Sequence, residues 1–145
     1  MNVRSILAIK GTAVATVAPD ASLAEATASL RDHRVGALVV SANGRTIDGI
    51  LSERDVVRVL AAHGGSTLGR DVTSAMSANV VVCQPEDTVD QLMAMMTERR
   101  IRHLPVIDTA RELAGIISIG DVVKVRLGEL EQENNQLYDY IQGRA

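Results

Sequence analysis

Two short stretches decide the fold of this sequence: Gly49-Ile-Leu-Ser52-Glu-Arg-Asp55 and Gly115-Ile-Ile-Ser118-Ile-Gly-Asp121. They lie 66 positions apart, and the same offset relates much of the remaining chain. Between positions 14 and 59, 14 of 46 residues are identical to the residue 66 places later, and the register needs no gap. A repeat of this length exceeds the usual solenoid periods, so it predicts two similar units packed about a pseudo-twofold axis.

Each unit predicts the element order β-α-β-β-α, an α+β fold. Short β-rich runs, AVATV at 13–17 and NVVVC at 79–83, precede a polar helix start at Ser22 or Thr88. Two short apolar runs then pair as strands, and an amphipathic helix begins at each Ser-x-x-Asp. The first helix of each unit carries apolar residues spaced by three and four, which predicts these as its buried positions: Leu23, Ala26 and Leu30, and Val89, Leu92, Met93 and Met96.

The repeat divides the chain into a first motif at 1–65, a second at 66–126 and a C-terminal helix at 127–145. The last segment places apolar residues and one asparagine at alternating spacings of three and four: Leu127, Leu130, Asn134, Leu137 and Ile141. Two heptads are too few to hold a coiled coil alone. The helix is therefore expected to pack either on a partner subunit or on its own module.

Composition excludes several classes of protein. The chain is 46% hydrophobic and 23% charged with a net charge of -3, which gives no bias toward nucleic acid polymers or anionic membranes. The single cysteine, Cys83, permits no intramolecular disulfide and no thiolate zinc cage. It is expected to pack as a small hydrophobe. No apolar run is long enough for a membrane span or a signal peptide, so a cytoplasmic protein is predicted. His33 and His63 have no matching partner residues, so no metal site is predicted.

The two Gly-h-h-Ser-x-x-Asp endings, in which h is apolar, and the Arg-His-Leu-Pro-Val run at 102–106 resemble the CBS domain, named for cystathionine β-synthase. The resemblance covers about residues 3–126 and is similar to stand-alone bacterial CBS pairs, which fold together as a Bateman module. It implies a regulatory or sensor module that binds an adenine nucleotide and forms a homodimer. AMP is the first candidate, with ATP, ADP, NAD and adenosyl compounds as alternatives. No cofactor is required.

The repeated Ser-x-x-Asp residues have the chemistry that a nucleotide needs. An ionised carboxylate, Asp55 or Asp121, accepts both protons of a ribose diol. A serine hydroxyl at a helix N-terminus, Ser52 or Ser118, donates to phosphate where the backbone N–H groups also favour an anion. The alternative is that each Ser-x-x-Asp is only a helix cap.

The family pattern implies that the Ser and Asp of one motif work with the first strands of the other. The first cleft would then contain Lys10, Gly11, Val14, Thr16, Val35, Gly36, Ala37, Ser118, Gly120 and Asp121. The second cleft would contain Ser52, Arg54, Asp55, Ser77, Val80, Val82, Ile101, Arg102 and His103.

The second cleft is predicted to favour ligands with more phosphate charge, because Arg54, Arg102 and His103 all belong to it. Protonation of His103 near the ordinary pKa of about 6.5 would strengthen phosphate binding as the pH falls. No GxSxG, HExxH or P-loop motif occurs, so an enzyme is not predicted. The alternative function is a structural interaction module whose clefts are empty and whose surface binds another protein.

Overall fold

The structure, a computed structural model, describes residues 1–143 and has the predicted α+β architecture of two repeated motifs. The first half contains α1 (Val3–Lys10), β1 (Thr16–Val17), α2 (Leu23–His33), β2 (Ala37–Val40), β3 (Gly49–Ser52) and α3 (Glu53–His63). The second half contains α4 (Val89–Arg99), β4 (His103–Ile107), β5 (Leu113–Ser118) and α5 (Ile119–Ile141). Two 3-10 turns, Gly65–Gly69 and Val72–Ser74, connect the halves.

The two sheets differ at their first strand. In the first motif β1 runs parallel to β2, and β2 pairs antiparallel with β3. In the second motif β4 and β5 pair antiparallel, but the predicted strand at 79–83 is reduced to one parallel bridge between Cys83 and Val106. Proline explains the loss. The N–H of Val39 donates to the carbonyl of Ala15 (3.1 Å), whereas the equivalent residue Pro105 has no N–H to donate.

The predicted buried stripes of α2 and α4 are confirmed except at Met93 of α4, whose side chain is 37% exposed. The core of the first motif is formed by Leu23, Ala26, Leu30, Leu38, Val40, Leu51, Val56, Val72 and Ala75. The core of the second motif is formed by Val3, Ile6, Leu7, Cys83, Val89, Leu92, Met96, Leu104, Val106, Ile117 and Val122. Both cores are aliphatic, as expected from the near absence of aromatic residues.

Each core includes residues from the segment that comes before the other motif in the sequence. Helix α1, which the sequence did not predict, packs in the second core, while Val72 and Ala75 from the connection pack in the first. The repeated glycine explains how these segments approach so closely. A Cβ at Gly115 would lie 2.8 Å from Leu7 Cδ2, and one at Gly49 would lie 2.5 Å from Met76 Sδ. The two motifs are therefore interlocked.

Helix α5 runs for 23 residues without a break, so the predicted C-terminal helix is the continuation of the last helix of the second motif. Its apolar stripe, Leu127, Leu130, Leu137 and Ile141, is between 49% and 76% exposed. The single chain therefore leaves this stripe largely uncovered, which favours the expected packing on a partner subunit over packing on its own module. Residues 144 and 145 of the predicted segment lie outside the described residues. None of the helices formed by residues 1–143 has the length and apolar character needed to cross a membrane.

Candidate ligand-binding clefts

Both Ser-x-x-Asp stretches form helix caps. At the start of α3 the N–H of Asp55 donates to Ser52 Oγ (3.2 Å), while Asp55 Oδ2 accepts from the N–H (2.9 Å) and hydroxyl (3.0 Å) of Ser52. At the start of α5 the same three bonds join Ser118 and Asp121 at 2.8–3.2 Å. This reciprocal capping box fixes each carboxylate at the N-terminus of its helix. The capping interpretation therefore holds at both sites, and one oxygen of each carboxylate is used by it.

The residues predicted for the second cleft converge on one cavity. Its volume is about 780 Å³, within the usual range for small-molecule sites. The predicted residues that line it are Ser52, Arg54, Asp55, Ser77, Val80, Ile101, Arg102 and His103. Antiparallel backbone bonds between Ile50 and Ser77 bring the start of the second motif alongside β3. Val82 does not line the cavity, because Val80 and Val81 face it instead.

The sequence did not identify two charged residues that line the same cavity, Arg100 and Glu53. Arg100 ends α4 in the left-handed conformation (φ 54°), which turns the chain into the cleft. Its repeat partner Arg34 ends α2 in the same left-handed conformation (φ 53°). The identity of these two arginines was therefore the one sequence feature that marked this turn in both motifs. Together with Arg54 and Arg102, three arginines and two acidic residues, Glu53 and Asp55, line the cavity. The positive balance favours an anionic ligand.

His103 and Gly36, predicted for different clefts, are neighbours where the two clefts meet. A Cβ at Gly36 would lie 3.2 Å from the imidazole ring of His103, so a larger residue there would require the ring to shift by a few tenths of an ångström. Burial lowers the pKa of His103, and the charges of Lys10 and Arg102 lower it further, against the opposing effects of Glu53 and Asp121. The imidazole is consequently neutral at pH 7, and it gains its charge at lower pH than the sequence predicted.

The first cleft has an ion pair at the position predicted for a ribose acceptor. Lys10 Nζ lies 2.7 Å from Asp121 Oδ2 and also donates to the backbone carbonyl of Ile116 (2.9 Å). Burial alone would raise the pKa of Asp121, but hydrogen bonds from Lys10 and Ser118 and the charge of Lys10 hold it below its ordinary value. Asp121 is therefore ionised at neutral pH, and Lys10, which was predicted for the first cleft, contacts this carboxylate.

The other residues predicted for the first cleft are dispersed. Gly36, Ser118 and Gly120 line the 780 Å³ cavity. Val35 packs against the first core and Ala37 is buried at the start of β2. Gly11 ends α1 at a positive φ of 95°, Val14 is half-buried, and Thr16 is exposed in β1.

Metal ligation and thiol chemistry receive no support from the described residues. Residues 1–143 contain no group of three His, Cys, Asp or Glu side chains placed to hold a metal ion. Cys83 is buried in the second core, where desolvation and the nearby charge of Asp87 raise the pKa of the thiol to about 12. The thiol is therefore protonated and behaves as the small hydrophobe predicted from the sequence.

A model of the CBS domain matches residues 4–62 and 70–128. The chain belongs to the CBS-domain family. The CBS-domain containing protein ATU1752 from Agrobacterium tumefaciens is 48% identical, with a TM-score of 0.84 over 87% of this chain and 99% of that one. Among curated proteins, the mitochondrial CBS domain-containing protein CBSX3 of Arabidopsis thaliana is 38% identical over 128 residues, which is 86% of this chain. The match spans 62% of the length of that relative.

A second similar structure contains a ligand. It is CBSX2 in complex with AMP, which is 25% identical with a TM-score of 0.73 and covers 88% of this chain and 96% of that one. The similarity to ATU1752 and CBSX2 extends over both repeats, so the paired arrangement of CBS domains is common to all three chains.

Proposed function

We propose that this CBS-domain pair binds an adenine nucleotide, AMP in the first place, in the second cleft and acts as a regulatory protein without catalytic activity. One observation carries the proposal: the lining of one 780 Å³ cavity includes Asp55 together with three arginines, Arg54, Arg100 and Arg102. The AMP bound by CBSX2 supports the choice of ligand, because that protein has the same paired fold.

The cavity offers each part of AMP a suitable partner. Val80, Ile101 and Ile50 provide apolar walls for the adenine ring. Asp55 provides a carboxylate for the ribose diol. Its Oδ1 pairs with Arg58 (3.1 Å), but the Arg58 side chain is 68% exposed, and such surface pairs are weak enough to yield to a ligand. The arginines then face the phosphate.

Ligand binding would affect the arrangement of the two motifs. The cavity is lined by Ser52 and Asp55 from the first motif and by Ile101 and Arg102 from the second. A nucleotide that contacts both sides stabilises the arrangement in which they face each other. Any second arrangement is then depopulated according to its weaker affinity for the ligand. This population shift is the proposed regulatory signal.

Equilibrium dialysis of labelled AMP against ligand-stripped protein tests the proposal. We expect saturable binding that Asp55→Ala abolishes. If AMP, ATP, ADP, NAD and S-adenosylmethionine all fail to bind, the nucleotide proposal is wrong, and the alternative of a structural interaction module with empty clefts is favoured.

Removing one guanidinium should weaken AMP selectively. Arg102→Met is expected to reduce the affinity for AMP about tenfold and to leave the affinity for adenosine nearly unchanged, because a charged hydrogen bond to phosphate contributes about 1.5–3 kcal/mol before solvent screening. Arg99→Met is the matched control, since Arg99 is exposed on α4 and does not line the cavity. Calorimetric titration with both ligands measures the effect. An equal loss for adenosine and AMP would contradict a phosphate role for Arg102.

We further propose that the protein acts as a homodimer. Besides the α5 stripe, Val123 on α5 is 47% exposed and does not line the ligand cavity. Pairing of two chains would bury such aliphatic surface. Light scattering at micromolar concentration is expected to give twice the chain mass of 15.5 kDa. A mass near that of one chain would count against the dimer.

A further inference from the structure

The geometry points to Lys10 as the residue that closes the first cleft to ribose, so that each chain binds one nucleotide, in the second cleft. This inference rests on the proposed function and deepens it, because it concerns which of the two repeated aspartates remains available to a diol.

Lys10 is held at Asp121 by two acceptors from different parts of the second motif. Its ammonium lies 2.7 Å from Asp121 Oδ2 and 2.9 Å from the carbonyl oxygen of Ile116. The side chains of Lys10 and Asp121 are only 30% and 23% exposed, so solvent screens the pair less than it screens a surface pair. Asp121 Oδ2 accepts from this ammonium and from the N–H and hydroxyl of Ser118, so a ribose diol that donates one hydroxyl to each carboxylate oxygen would have to displace Lys10.

The anchor of Lys10 is rigid. Lys10 is the last residue of α1, whose Val3, Ile6 and Leu7 are buried in the second core. The packed helix α1 therefore positions the ammonium beside Asp121, which lies 111 residues later in the sequence. The core fixes the backbone of α1, so a ligand can move the ammonium off Asp121 only by rotating the Lys10 side chain away from both of its acceptors.

The corresponding pair in the second cleft differs in the origin and exposure of its cation, although Arg58 also donates to a backbone carbonyl, that of Ala75 at 3.4 Å. Arg58 reaches Asp55 from the next turn of the same helix, at 3.1 Å and with a 68% exposed side chain. It contacts Oδ1, whereas Lys10 shares Oδ2 with the helix cap. The residue 66 places after Lys10 is Met76, so no cation approaches Asp55 from the equivalent segment. The 780 Å³ cavity accordingly includes Asp55 but neither Asp121 nor Lys10 in its lining.

The test is calorimetric titration of ligand-stripped protein with AMP, comparing stoichiometries per chain. Lys10→Met introduces the residue that the repeat already has at the equivalent position, and Lys124→Met is the control because it removes the only other lysine from an exposed position of α5. We expect one AMP per chain in the wild type and in Lys124→Met, and two in Lys10→Met.

Asp55→Ala assigns the clefts. In this background, which disables the second cleft, we expect no binding at AMP concentrations that saturate the wild type, and one AMP per chain once Lys10→Met is added. Two AMP per chain in the wild type, or one in Lys10→Met, would overturn the closure by Lys10 while leaving nucleotide binding intact. Absence of binding to the wild type would instead overturn the proposed function of the second cleft. Circular dichroism checks that each variant is folded.

Discussion

AMP at a hundredfold excess over its dissociation constant is expected to raise the melting temperature of this protein by about 5–10 °C. The physical reason is mass action, because a ligand bound only by the folded chain adds about 2.7 kcal/mol to the free energy of unfolding at that excess. For a chain of this size each kcal/mol corresponds to a shift of about 2–4 °C. Differential scanning fluorimetry or calorimetry over a series of AMP concentrations measures the rise.

Two single substitutions make this thermal test specific. Asp55→Ala is expected to remove the rise, because the ribose acceptor of the second cleft is lost. Asp121→Ala is the matched control, since it deletes the equivalent capping box from the other motif and so carries a similar structural cost. It should retain the rise, and the double variant should lose it. A full rise in Asp55→Ala would show that the ligand binds elsewhere.

Truncating the buried face of α1 should cost about 2–5 kcal/mol of stability, the usual range for a fully buried Ile→Ala. Ile6 is 3% exposed in the core of the second motif, so Ile6→Ala leaves a cavity there. Ile9 lies on the same helix but is 74% exposed. Ile9→Ala is expected to change the free energy of unfolding by less than about 0.5 kcal/mol.

Urea denaturation of both variants measures the difference. If Ile6→Ala were as mild as Ile9→Ala, α1 would not be part of the second core, and the rigid placement of Lys10 would lose its basis. Because Ile6 does not line the ligand cavity, the result is independent of nucleotide binding.

The elements that could be predicted from the sequence are those marked by short sequence patterns that occur in both repeats. Periodic apolar residues and polar caps predicted α2 and α4, and the paired glycine and Ser-x-x-Asp endings predicted β3, β5 and the helices that follow. The prediction of a full strand at 79–83 was wrong, because it considered only the β-rich run and not its partner strand. Pro105 stands in the partner strand, and its missing N–H removes a bond that the first motif keeps through Val39.

Long-range packing accounts for most of what the sequence did not predict. Helix α1 has eight residues, too few for a strong periodic signal, and its core lies in the motif that is more distant in sequence. The contact of Lys10 with Asp121 joins residues 111 positions apart, so no spacing could reveal it. The second cleft was more predictable, because the repeat identified Ser52 and Asp55 and the family resemblance supplied the opposite wall. Arg100 also lines that wall, but the sequence indicated only that it is identical to its repeat partner Arg34.

A crystal structure of the chain grown with AMP would show directly which cleft binds the nucleotide. We expect the ribose hydroxyls within hydrogen-bonding distance of the Asp55 carboxylate, the phosphate beside Arg54 or Arg102, and the ammonium of Lys10 still on Asp121. AMP bound at Asp121 with Lys10 displaced, or a second cleft without AMP when the ligand saturates the protein in solution, would contradict this expectation.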